Sequence, residues 1–146
     1  MKVIGIANRQ RLDVDLHTSD GQMLFIYTGI AVLDGSFVID NILVHDTVEI
    51  FLGENGVINP DEGDNFAGNP YFMENGVVSA SLASISDLGD SDNVTWAVDE
   101  AKLDTHFVDP ATQYLKIVVN IAIQGEETSL LRISYQANIL AKKERQ

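Results

Sequence analysis

The chain has 146 residues, 22 of them acidic and 9 basic, so its formal net charge is −13. With 45% apolar residues and no cysteine, it is too apolar to stay disordered, and it excludes a disulfide scaffold, a thiol nucleophile and a zinc–thiolate site. A basic footprint able to neutralise phosphates is missing, which argues against nucleic acid as a partner. The length suits one domain, residues 1–146, large enough to bury a core without staples.

In chain order, Met1 to Ala7 is too short for a signal-peptide core and runs straight into Asn8-Arg9-Gln10-Arg11. Leu12, Val14 and Leu16 then alternate with Asp13, Asp15 and His17, which predicts a strand with its leucines and valine half-buried. Residues 22–33 and 36–52 are denser in apolar side chains and predict three or four strands. The longest apolar stretch, Leu24 to Leu33, is interrupted by Thr28 and is shorter than the roughly 20 residues of a membrane-spanning helix. No membrane is therefore expected as a partner. The expected location is the cytoplasm, or a virus- or phage-like particle assembled there.

Turn signals punctuate the chain at Asp20-Gly21, Asp34-Gly35, Asn55-Gly56 and Asn75-Gly76, pairs that supply the positive φ of tight hairpins. Residues 53–76 read as one long central loop. Residues 81–89 read either as a short helix ended by Gly89 or as a Ser-rich edge strand. Val94, Trp96 and Val98 begin another strand. Near the end, Leu115, Ile117, Val119, Ile121 and Ile123 alternate with wetter positions, and Leu131, Ile133, Tyr135, Ala137 and Ile139 repeat the pattern after a Gly-containing loop. Two such runs predict an antiparallel hairpin. Residues 141–146 read as a basic tail. Val and Ile total 28 against 13 Leu, a balance that suits pleated surfaces. The expectation is an all-β, single-domain antiparallel β-sandwich of jelly-roll or Greek-key type with a long central loop.

Charge is unevenly placed. Between Leu12 and Leu131 the only basic residues are Lys102 and Lys116, against 21 acidic ones, so the body repels itself. Basic groups near the ends, Arg9, Arg11, Lys142, Lys143 and Arg145, are candidates to meet the acidic body of a neighbouring copy. Phe66, Tyr71, Phe72 and Met73 in the central loop are the candidate apolar contributors, because aromatics and Met are enriched at interface cores.

Site chemistry is sparse. Asp13, Asp15 and His17 repeat every second residue and would share one strand face, a metal candidate if His45 or His106 joins them. A solvated strand face is the commoner outcome of such a pattern. Asp61 and Asp64, and again Asp90 and Asp92, gather hard oxygen ligands without matching the calcium-loop template. No cofactor is expected; calcium at these loops is the alternative. No Gly-x-Ser-x-Gly elbow and no phosphate-binding Gly loop occurs. The reading is a non-enzymatic structural or interaction module that self-associates or joins a larger assembly. The alternative is a carbohydrate-binding module that uses Trp96 and the loop aromatics. An acidic-site hydrolase, drawing on some pair of the many carboxylates, comes third.

Overall fold

The computed structural model describes residues 2–34, 40–52, 71–86, 95–109, 112–125 and 130–143, and within these not the side chains of 71–72, 82–86, 105–109, 112–113 and 130. Seven strands account for nearly all of it: β1 (Val3–Asp15), β2 (Gln22–Asp34), β3 (Val44–Phe51), β4 (Tyr71–Ser86), β5 (Thr95–Asp109), β6 (Thr112–Gln124) and β7 (Leu130–Lys143). They form two antiparallel sheets, a four-stranded one in the order β1-β2-β7-β4 and a three-stranded one in the order β3-β6-β5. From β2 to β5 the chain alternates between the sheets. β6 then slots between β3 and β5, and β7 between β2 and β4. This is a winding of jelly-roll type. Among the described residues, no helix is long and apolar enough to cross a membrane.

The core is made by alternation. Leu115, Ile117, Val119, Ile121 and Ile123 of β6 point inward and are buried, as are Leu131, Ile133, Ala137, Ile139 and Ala141 of β7. The expected hairpin between these two runs does not form. β6 pairs with β3 and β5, whereas β7 pairs with β2 and β4, so the runs face each other across the sandwich. Alternation tells which residues share a face, but not which strand lies alongside. Two strands each with a wholly apolar face bury more by stacking face to face than by lying edge to edge under open water.

Other expectations change in detail. Residues 22–52 hold two strands among the described residues, because β2 runs unbroken through Thr28 and Gly29. Gly29 allows that continuity. Tyr135 of β7 lies across it, and a Cβ there would sit 2.5 Å from the phenol oxygen. Asn75-Gly76 is not a turn; it lies within β4, beside a register shift between Met73 and Asn75. Leu103 of the opposite sheet packs directly onto Gly76, so this glycine serves close approach between sheets rather than reversal. The expected loop therefore loses residues 71–76 to β4, and 53–70 lie outside the described residues. Residues 81–86 are the end of edge strand β4 rather than a helix. Ala141 to Lys143 belong to β7 rather than to a tail.

The β1–β2 turn matches its sequence signal. Gly21 takes φ +67° and donates its N–H to Thr18 O at 3.1 Å, while the Thr18 hydroxyl accepts from Gln22 N at 2.9 Å. Three edge strands, β1, β4 and β5, carry two register shifts each, and short β3 carries none.

Candidate functional site

β1 inverts the expectation made for it. Leu12 is 58% exposed and Leu16 is also exposed, while Arg11 and Asp13 occupy the core side of the sheet, opposite Tyr27 and Phe25. The reason is position. β1 is an edge strand whose inward side reaches the core at Val3 and Ile6, and its second half carries a polar pair on that side instead. Arg11 Nε sits 2.7 Å from Asp13 Oδ1, and its guanidinium carbon lies 4.9 Å from the Phe25 ring centroid. The long side chain covers the aromatic rings and keeps its charge at the solvent edge.

The leucines thus join the outer face of the four-stranded sheet, where the strand register lines residues up in rows. One row reads Val14, Leu24, Leu140, Asn75, and the next reads Leu12, Ile26, Asn138, Val77. Then follow Gln10, Thr28, Gln136, Ser79, and Ala7, Ile30, Ser134, Ser81. Four consecutive rows across four strands carry no charged side chain. In a chain of net charge −13 that is an unusual stretch of surface. The first two rows form a raised apolar end, with Val77 66% exposed. In the next two, the short side chains of Thr28, Ser79, Ser81 and Ser134 line a trough of about 430 Å³, walled by Gln10 and by Asn8 in the β1 bulge.

The outer face of the other sheet is ordinary by contrast. Its rows read Phe51, Lys116, Asp104, then Glu49, Val118, Lys102, then Thr47, Asn120, Glu100. Lys116 Nζ pairs with Glu49 Oε1 at 3.0 Å, and Thr47 Oγ1 donates to Asn120 Oδ1 at 2.8 Å. A depression of about 270 Å³ there is edged by His45, Asp46 and Asp99. His45 Nδ1 is 3.9 Å from Asp99 Oδ2, with both side chains well exposed.

Of the remaining candidates from the sequence, Tyr71 and Phe72 of β4 pair with Lys143 and Lys142 of β7, and the others are scattered. His17 lies beyond the end of β1, at φ 54°, so it does not share a strand face with Asp13 and Asp15. Its backbone N–H donates to Asp15 Oδ1 at 2.8 Å, and Asp13 is engaged by Arg11. Among the described residues, no three His, Asp or Glu side chains converge as metal ligands. Lys142 and Lys143 stand at the hairpin end of the sheet, in register with Gln22 and near Gly21. Arg11 pairs across from Tyr27, five residues further along β2, about 17 Å away at strand rise. Burial raises the pKa of Tyr135, and the charge of exposed Arg9 partly offsets that rise. Met73 packs against the core instead of projecting from a loop. Tyr71 and Phe72 fall in β4, whereas Trp96, 44% exposed, falls in β5 of the other sheet. Asp61, Asp64, Phe66, Asp90, Asp92 and Arg145 lie outside the described residues, and so does the His106 side chain.

The uncharged face was missed because its signal is distributed. No single segment shows it; it emerges when four strands far apart in sequence are laid in register. The chain matches no family model, no curated protein and no solved structure.

Proposed function

We propose that the protein is a non-enzymatic structural or interaction module that self-associates through the outer face of its four-stranded sheet. One observation carries this reading. A chain of charge −13 keeps four registered rows free of charge and leaves Leu12 and Val77 exposed on them. Contiguous apolar surface rimmed by polar residues marks an interaction site, and depletion of charge is the compositional signature of an interface core. Strong like charge elsewhere makes other faces repel a second copy, so the neutral face is where two copies can meet. The four rows span residues 24–30 of β2, about 24 Å at about 3.4 Å rise by about 19 Å across four strands, so the uncharged patch presents roughly 450 Å², within the range of patches that mark interaction sites and about half of what each partner contributes to a standard interface.

Light scattering with size-exclusion chromatography tests this. The protein is expected to elute as a pair or larger assembly, Ile26→Glu as a single chain, and Glu100→Lys on the other sheet as the parent does. Added salt should tighten the assembly, because screening weakens the repulsion between acidic bodies. Loosening by salt would instead favour contacts between basic ends and acidic bodies. A single chain at high concentration and every salt level would overturn self-association.

A further inference from the structure

Resting on that reading, we infer that the partner is a second copy seated so that the raised apolar end of each chain fills the trough of the other. The raised end and the trough lie side by side on one face, separated by the boundary between the Leu12–Ile26 row and the Gln10–Thr28 row. A two-fold axis in the plane of contact, running across the strands along that boundary, exchanges the two regions. The contact is then isologous, each residue meeting its opposite number reciprocally.

Chemistry and shape agree with this placement. Leu24 comes over the partner's Ile30 and Val14 over the partner's Ala7, apolar on apolar, while next to the axis Leu12 and Ile26 come over the partner's Gln10 and Thr28. On the β7 strand Asn138 comes over the partner's Gln136, amide against amide; within one chain Gln136 Nε2 already donates to Asn138 Oδ1 at 3.1 Å. The competing axis, parallel to the strands, would set β2 over the partner's β7 and Leu24 over the partner's Leu140. That arrangement also matches polarity row by row. It stacks raised end on raised end, however, and leaves two troughs of about 430 Å³ each facing one another. Interfaces pack like protein interiors, and unfilled space forfeits dispersion contacts. Close packing therefore selects the first axis.

The chain has no cysteine, so single cysteines report the geometry directly. Leu24→Cys protein is mixed with Ile30→Cys protein, treated with a short bis-maleimide and resolved by denaturing electrophoresis. A cross-linked pair is expected in the mixture and not with either variant alone, since two copies of position 24 would lie six residues, about 20 Å, apart. Leu140→Cys mixed with Ser134→Cys repeats the test on β7, where two copies of either position again lie six residues apart, and light scattering first shows that each variant still associates. A cross-link between Leu24→Cys and Leu140→Cys, or no cross-link in an assembly that light scattering confirms, overturns the seating while leaving self-association intact. A parent protein that stays a single chain overturns both.

Discussion

The two outer faces of this sandwich come from the same alternation rule and end in opposite states. On the three-stranded sheet, Glu49, Lys116, Lys102 and Glu100 alternate with core residues, Lys116 pairing with Glu49 and Glu100 accepting from Asn120. On the four-stranded sheet the same outward positions are Leu12, Leu24, Ile26 and Ile30, or uncharged Ser, Thr, Asn and Gln. An antiparallel sheet needs only one apolar face to build its core. The uncharged second face is surplus to folding, and the self-association proposed above would account for it.

Three measurements would break or sharpen that contrast. The largest effect belongs to the inner positions that both sheets share. Ile121→Ala and Ile133→Ala, one from each sheet, should each cost about 2–5 kcal/mol in denaturant melts, because both side chains are buried and leave a cavity. A loss under about 1 kcal/mol at either position would mean that its strand does not face the core. A smaller effect separates the outer faces. Asn120→Ala removes the acceptor of the Thr47 hydroxyl and should cost on the order of 1 kcal/mol, whereas Ser134→Ala, on the uncharged face, should fall within about 0.5 kcal/mol of the parent. Equal costs would erase the distinction between a self-satisfied face and an unpartnered one.

The smallest effect at neutral pH concerns Tyr135. Burial pushes its phenol up to about 12 from 10.0, with the Arg9 charge pulling the other way. A folded value above the unfolded one means that the stability it brings is complete below pH 10 and is lost as pH rises from 10 to about 12. Tyr135→Phe should remove that alkaline loss, leaving a flatter stability curve over the same interval. An unchanged slope would show that the phenol ionises as freely in the folded protein as in the unfolded chain.

Much of the fold was legible from residue spacing, and the failures share a cause. The period-2 runs at 115–123 and 131–139 correctly mark inner faces, since alternation is a local property of the strand. Their pairing was misjudged because which strands lie side by side depends on the winding of the whole chain. Alternation puts Leu12 and Leu16 on the half-buried side of their strand, yet both are exposed, because β1 is an edge strand whose inward side reaches the core only at Val3 and Ile6, and no local signal reports where a strand runs out of cover. Asn75-Gly76 carries a turn signature, but tertiary packing against Leu103 used the missing side chain for another purpose. The candidate face was illegible for the same reason as the pairing: its rows draw on residues 7–14, 24–30, 75–81 and 134–140.

The register shifts along the rims have a consequence for aggregation. An exposed, regular strand edge recruits further strands without limit, and natural sheets blunt such edges with bulges, charge or brevity. Here β1, β4 and β5 are bulged, and β3 is short and carries Asp46 and Glu49. The segments with the strongest fibril-forming character, the branched apolar runs of β6 and β7, are central strands paired on both sides. Among the described residues, each edge strand is thus blunted against cross-β growth along the sheet direction. The danger is confined to the unfolded state, where residues 115–123 are free to stack on their own copies, and the rate of unfolding becomes the quantity that decides how long the protein keeps in solution.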